Sequence, residues 1–448
     1  MKKFAKILVC LMLCVFALSF VACGPQEYGD YPKNSDETYG NGGLSVRKGN
    51  YLFFVNGFYD TAEMVAHHSQ KDTYTLGALL MRKLDANGNF VEDAECEYFS
   101  NQLCGWKATD LHIVGDYLYF TSPCTEVDRS SGSWSDSVNR VWFNRIKLNN
   151  GKVETFYKSG YNAENVTFNY FEAEGKHYLL LAEKDATTSV ATVKRIDLDN
   201  KFSTTTVSTK AVSYLFKNQS VENDYAHAFV AEKEDETYSL YAYNVVTGEK
   251  VDYTLKDSDA VVEVKFLAGN YVYITQVDGK VTRLYRANVA GTHAFSVGES
   301  AQYHSDDPYF VSDDGTTFAK VCGGVLEYYE KKSGDPYYTV KAGVYEDNTI
   351  TGIGVVGNNF VYYDSNKNIK VVDFLNPNVE NAKIVATNVT NTTHLDFNDG
   401  EYLYFYNVSG AANSNLYLFR VQIANPPVET QELTFFGIYL EEDVADEE

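Results

Sequence analysis

The sequence predicts an all-β chain, a single β-propeller built from repeated four-stranded units, and three observations carry that expectation. A glycine, a polar or small residue and an apolar-aromatic run recur along the chain. The recurrences keep a near-constant spacing, the mark of repeated sheets. Composition agrees: 36 Tyr and 27 Phe stand against 4 Met, which favours strands, and no amphipathic helix stands out after residue 23.

Taken in chain order, residues 1–22 read as a secretory signal. Lys2, Lys3 and Lys6 make a basic start, residues 7–21 an apolar stretch, and small Ala22 ends it. That stretch is shorter than the roughly 20 residues a membrane span needs. Phe20-Val21-Ala22-Cys23 resembles the bacterial lipobox, with Phe20 where Leu is preferred. The resemblance implies that Cys23 is lipidated, becomes the first mature residue and anchors the protein to a membrane. Residues 23–43 are rich in Gly, Asn, Asp and Ser and read as a flexible tether.

The propeller is expected over residues 44–436. The repeat stands as Gly49-Asn50-Tyr51-Leu52-Phe53-Phe54, Gly115-Asp116-Tyr117-Leu118-Tyr119-Phe120 and Gly175-Lys176-His177-Tyr178-Leu179-Leu180. It returns at Gly269-Asn270-Tyr271-Val272-Tyr273, Gly357-Asn358-Asn359-Phe360 and Gly400-Glu401-Tyr402-Leu403-Tyr404-Phe405. Weaker copies start at Asn223 and Gly315, so successive starts lie 66, 60, 48, 46, 46, 42 and 43 residues apart. Glycine supplies the positive φ of a hairpin turn, and the aromatic run is the second strand. A basic-apolar third strand follows, as in Asn144-Arg145-Ile146-Lys147-Leu148, Val193-Lys194-Arg195-Ile196 and Leu418-Phe419-Arg420-Val421. A turn and a more polar fourth strand, such as Ser203-Thr204-Thr205-Thr206-Val207, end the unit. Second and third strands are apolar on both faces, as a sheet packed between two other sheets requires. Eight units predict eight blades, with seven as the alternative count; residues 437–448 form an acidic tail.

The Gly-Asp/Asn-Tyr-Leu-Tyr-Phe run followed by Leu-Tyr-Arg resembles bacterial extracellular β-propeller domains named for similarity to the propellers of low-density-lipoprotein-receptor-related proteins. That resemblance spans most of residues 44–436. It implies the fold and a surface or scaffolding role, and it carries over no catalytic residue.

Formal charge is −23, and loss of Lys2, Lys3 and Lys6 with the signal makes it about −26. A chain this acidic argues against nucleic acid and anionic phosphate surfaces as partners. Four cysteines remain beyond Cys23. Cys96, Cys104 and Cys124 form the pool for a disulfide, and Cys322 sits in an apolar strand pattern as a buried thiol. None has metal-ligand spacing. Asp85-Ala86-Asn87-Gly88-Asn89 has its glycine two places too early for a calcium loop and reads as a hairpin turn. Elbow, zincin, phosphate-loop and dinucleotide motifs are missing, so no cofactor and no metal is expected.

Connections between second and third strands, and between units, share one rim. Units one and two are lengthened there, at about residues 57–77, 97–110 and 122–139. These insertions carry Trp106, Trp134, Asp110, Asp128 and Asp136, together with Asp60, Glu63, His67 and His68. Indole faces beside carboxylates suit sugar rings, which makes Trp106, Trp134, Asp110, Asp128 and Asp136 the ligand-binding candidates. Packing of both tryptophans onto the ring is the competing explanation. His67 and His68 are adjacent, would point opposite ways on a strand and cannot share a metal. The sequence favours a non-catalytic binding or scaffolding lipoprotein, extracytoplasmic and anchored to a bacterial membrane, with an envelope protein or glycan as partner. Two alternatives stand beside it: a carbohydrate-active hydrolase or lyase using the rim carboxylates, and an envelope assembly or sensor component. The Trp-bearing repeat of outer-membrane assembly propellers is lacking.

Overall fold

The computed structural model describes residues 31–57, 77–86, 88–91, 97–104, 110–123, 140–216, 227–268, 271–278, 281–289, 293–297, 309–311, 317–322, 325–331, 338–344, 350–356, 359–373, 382–387, 394–399, 401–408, 416–422 and 431–432. Among them there is no α-helix, and one 3₁₀ turn at Ala163–Asn165.

All strands pair antiparallel with sequence neighbours, in seven sheets. The first holds β1 (Thr38–Tyr39), β2 (Ser45–Lys48), β3 (Tyr51–Val55), β4 (Ala78–Lys83) and β5 (Glu97–Leu103). Next come β6 (His112–Val114), β7 (Tyr117–Pro123), β8 (Arg140–Lys147) and β9 (Val153–Asn162). A seven-stranded sheet follows: β10 (Val166–Ala173), β11 (Lys176–Lys184), β12 (Ala191–Asp197), β13 (Ser203–Phe216), β14 (His227–Glu234), β15 (Thr237–Asn244) and β16 (Lys250–Tyr253). The remaining sheets have four strands each. They are β17 (Val262–Ala268), β18 (Tyr271–Asp278), β19 (Val281–Asn288) and β20 (Ser296–Val297); then β21 (Tyr309–Val311), β22 (Thr317–Cys322), β23 (Val325–Lys331) and β24 (Tyr338–Val344). Last come β25 (Thr351–Val356), β26 (Asn359–Tyr363), β27 (Ile369–Asp373) and β28 (Lys383–Ala386), then β29 (His394–Asn398), β30 (Tyr402–Val408), β31 (Leu416–Gln422) and β32 (Gln431–Glu432).

This is the β-propeller that the repeat predicts. We number the four-stranded units along the chain, β13 serving as last strand of the third and first strand of the fourth. β13 can do both because it bends: its pairing to β12 shifts between Ser208 and Ala211, and its pairing to β14 shifts between Ala211 and Ser213. Each aromatic run is the second strand, and its burial runs through both faces, as in β3 and β11. Gly49 and Gly115 close first hairpins at φ 54° and 57°, where a side chain would be strained. Apolar clusters lie between neighbouring units, and one joins Tyr402, Tyr404, Tyr406 and Leu418 of the last unit to Phe53, Leu80 and Met81 of the first. Each fully buried Leu or Phe there contributes roughly 1.5–3 kcal/mol.

The third-strand arginine explains the basic-apolar pattern. Arg145, Arg286 and Arg420 lie opposite Tyr119, Tyr273 and Tyr404, and each leans over the Tyr two residues earlier on the second strand. The guanidinium sits 4.2 Å from the Tyr117 ring centre, 4.7 Å from Tyr271 and 4.3 Å from Tyr402. Arg195 takes the same place 5.3 Å from Tyr178. Several of these arginines also reach the turn before the fourth strand of the next unit. Arg145 stacks on Phe202, Arg195 Nη1 donates to the Val245 carbonyl at 2.8 Å, and Arg420 Nη1 donates to the Gly88 carbonyl at 2.7 Å. The last contact joins unit eight to unit one. The ring therefore closes with the same arginine contact that joins neighbouring units inside it.

The ordered ring begins earlier than residue 44. β1 pairs with β2 on its axis side, Thr38 opposite Lys48 and Tyr39 opposite Arg47. Residues 41–43 then run beside the start of β6: Gly43 bridges Leu111, and Asn41 bonds both backbone groups of Ile113. The chain thus climbs the axis side of units one and two before turning down into β2. Its lower end, Asp36, packs against Gly49 in the first hairpin, on the face opposite the long connections.

Residues 85–91 form the hairpin turn expected of Asp85-Ala86-Asn87-Gly88-Asn89. Asp85 accepts from the Asn89 N–H and exchanges backbone bonds with Gly88 and Asn89. Residues 97–103, expected inside an insertion, are strand β5, because the fourth strand of unit one needs that length to pair with β4. The connection beyond it starts at Cys104.

Candidate functional site

The long connections leave the ring at a defined place. At the foot of the β3–β4 connection Gly77 donates to Gly57 at 2.9 Å, and Cys104 donates to Gly77 at 2.7 Å. Cys104 is a free, fully buried thiol, and burial pushes its pKa far up. It sits in the shared cluster of units one, two and eight, where packing leaves no polar partner for a thiolate. Trp106, Trp134, Asp128 and Asp136 lie outside the described residues, as do Cys23, Cys96, Cys124, Asp60, Glu63, His67 and His68. Cys322 ends β22, with its side chain outside that set.

Asp110 is the candidate that the described residues include. It precedes β6, and strand alternation puts it on one side with His112 while Leu111 and Ile113 point into the core against unit one. The His112 ring lies 4.9 Å from Tyr170 of β10, which in turn lies 5.1 Å from Tyr119. Tyr170 is 2% exposed, and neither its hydroxyl nor His112 Nδ1 has a hydrogen-bond partner. Asp110 has no ion pair or hydrogen bond among the described residues, and burial alone pushes its carboxyl up to about 7. Burial likewise lowers His112 to about 4 and raises Tyr170 well above 10. At the junction of units two and three, Asp110 thus stands beside two buried polar atoms without partners, His112 Nδ1 and Tyr170 Oη.

A second carboxylate stands across the climbing segment. Asp396 of β29 accepts from the Leu44 N–H and the Ser45 hydroxyl. A side chain on Gly43 would run into its carboxylate, so a glycine is needed there. Burial, opposed by the Ser45 and Leu44 bonds and helped by the Asp110 charge, pushes Asp396 up to about 7. Nearby, Arg47 pairs with Asp399 at 2.8 Å, and Asp399 also accepts from Tyr402 N–H and Tyr404 Oη. Asp396 therefore belongs to ring closure, whereas Asp110 makes no hydrogen bond or ion pair among the described residues.

Sequence reasoning missed His112, Tyr170 and Asp396. The signal available was the polar Asp110-x-His112 pair entering a first strand whose other residues are apolar. Nothing in the linear order links that pair to Tyr170, 58 residues on. Among the described residues no group of three or more His, Cys, Asp or Glu side chains is placed to hold a metal ion.

No family model matches the chain, and no curated protein matches it by sequence. Solved structures do. The dihydro-heme d1 dehydrogenase NirN in complex with DHE is 10% identical, with TM-score 0.51 over 92% of this chain and 76% of its own. A Myceliophteria thermophila Cps50 (Swd1) β-propeller domain is 12% identical over 70% of this chain and 95% of its own, with TM-score 0.41. A Mycobacterium tuberculosis puromycin-hydrolyzing peptidase is 10% identical over 73% of this chain and 53% of its own, with TM-score 0.43. The chain thus spans about half the length of that peptidase. At these identities the likeness is one of fold.

Proposed function

We propose that this protein is a non-catalytic binding or scaffolding lipoprotein of the bacterial cell envelope. It is an eight-bladed propeller anchored through Cys23, which turns its long-connection face away from the membrane toward a protein or glycan partner. The observation that carries the reading is the polarity of the ring. Asp36 packs against the first hairpin on one face, while the connections of 20 or so residues leave units one and two on the other. From Cys23 to Asp36 the chain spans at most about 45 Å at roughly 3.5 Å per residue, so the anchored face stays near the bilayer.

A photo-crosslinking residue at Ser131, in the β7–β8 connection, tests this in cells against one at Asp116, in the opposite hairpin. Envelope partners captured from position 131 and not from 116 are expected. Capture from 116 alone, or from neither, overturns the reading. A glycan partner would add about 2.7 kcal/mol of stability at 100 times its Kd, and a Trp106→Ala/Trp134→Ala variant would lose that thermal shift.

Glycoside cleavage is the second reading that a specific observation favours: Asp110 and Asp396 both lie near 7, the range a general acid needs. Against it, the Asp396 oxygens are already engaged by Leu44 and Ser45. Turnover of an envelope glycan that Asp110→Asn abolishes would establish cleavage instead.

A further inference from the structure

We propose that Asp110, His112 and Tyr170 form a binding site for a primary ammonium group, as carried by an amino sugar, an ethanolamine headgroup or an amine-bearing peptide. The His112 ring lies 4.9 Å from the Tyr170 ring, and the charge of Asp110 reaches Tyr170. Tyr170 Oη and His112 Nδ1 are buried without partners, and the Asp110 carboxylate has no cation beside it among the described residues. Two buried polar atoms without partners beside a carboxylate point to an absent donor. A primary ammonium brings three N–H donors, no acceptor and the charge that a desolvated carboxylate lacks. Neutral imidazole is the form that can accept, and burial keeps His112 neutral. The faces of Tyr170 and Tyr119 add cation–π attraction. A metal ion fits less well, because the set holds one carboxylate and one imidazole. The titratable and charged groups around the site are Asp110 and His112 from β6 and its approach, Tyr119 from β7, Arg145 from β8 on the Tyr119 hydroxyl, Tyr170 from β10 and Asp396 from β29.

The inference deepens the binding reading but uses other residues than the crosslinking test, so the two fail separately. The experiment is calorimetric titration of the mature chain in detergent, in amine-free phosphate and HEPES buffers at pH 7. Ethanolamine and glucosamine are the probes; choline, which has no N–H on nitrogen, and N-acetylglucosamine, which has no charge, are their counterparts. Saturable binding of the first pair only is expected. Its heat should differ between buffers, because the cation displaces a proton from Asp110. Asp110→Asn and Tyr170→Phe should each weaken binding at least about tenfold. Tyr170→Phe removes a hydroxyl that bonds nothing, so its melting temperature should match the parent and separate lost binding from lost folding. No saturable heat up to about 10 mM, weaker than the 1 mM Kd worth −4.1 kcal/mol, overturns the proposal. So does equal binding of choline or N-acetylglucosamine, or unchanged binding by both variants.

Discussion

The junction between units three and four and the junction between units eight and one hold the same kind of sheets together by different means. At the first, one strand of 14 residues is shared by both units within a single sheet, and Arg195 adds a bond to the next turn. At the second no strand among the described residues is shared. Residues about 350 apart in sequence meet there, such as Arg47 and Asp399. Closing a loop of that length costs about 5 kcal/mol in chain entropy plus a constant. Side chains supply the offset: Arg47 on Asp399, Asp396 on Leu44 and Ser45, Tyr406 on the Val55 carbonyl at 2.8 Å, and Arg420 on Gly88. The bonds of Arg47 and Arg420 are charge-assisted and contribute about 1.5–3 kcal/mol each, the neutral Tyr406 bond about 0.5–1.5 kcal/mol. The comparison teaches that the seam, like the junction of units two and three with its Tyr157, Ser159, Glu183 and Lys194 network, joins by side chains over an apolar cluster, whereas units three and four also share a strand.

The largest effect should come from breaking the seam's ion pair. Arg47→Ala leaves the fully buried Asp399 side chain without its cation, and about 3–5 kcal/mol should be lost. Urea melts would register it, and the buried Cys104 thiol gives a local readout in a chain whose other mature cysteines are serine. Reaction of Cys104 with a thiol reagent under native conditions should speed up in Arg47→Ala. Cys104 as protected as in the parent would argue that the seam does not depend on this pair.

Arg420→Met should come next, at about 1–3 kcal/mol, because it orphans the Gly88 carbonyl and removes the cation over Phe90 and Tyr402. The same change at Arg195 should cost about half as much, since β13 still binds the units it would release. Equal losses would erase the distinction between seam and interior. Gly43→Ala falls in the same range, about 1–3 kcal/mol, as an overpacked contact against Asp396.

How much of this was legible beforehand follows from the same contrast. The repeat Gly-x-Tyr-x-Tyr with a later Arg is local, so the second strands, third strands and hairpin turns could be read from it. Arg145, Arg195 and Arg420 showed as a basic pattern, though their reach into the next unit did not. The seam was illegible because Asp396 and Asp399 acquire meaning only beside Ser45 and Arg47, and no linear pattern records a ring closing. The start of the ring was misread for a related reason. The polar composition of residues 31–43 resembles a tether, but Asn41 and Thr38 spend their polarity on Ile113 and Lys48. Asp110 was named for its place in a long connection. What makes it unusual, unsatisfied Tyr170 on β10 beside its own neighbour His112, required the fold.

The smallest effect separates the two raised carboxyls. Asp110 sits near 7 when folded and near 3.8 when free. Between those values the folded chain holds a proton that the unfolded chain has released. The stability tied to this proton is complete below the ordinary carboxylate range and is lost as pH rises through about 7. Asparagine does not titrate, so Asp110→Asn should gain stability on the parent as pH climbs from 5 to 8. The gain should be on the order of 1 kcal/mol once solvent screening is allowed for. His112, held low by burial, has the opposite slope, but it is present in both proteins and cancels in the difference. Asp396→Asn should show the same slope on a lower baseline, because it also weakens the bonds to Leu44 and Ser45. Melting curves across that pH range decide it. Two parallel slopes with different baselines would mean that one carboxyl is engaged by the seam and the other is open to a ligand. A flat difference for Asp110→Asn would mean that its carboxyl is as well hydrated as any on the surface.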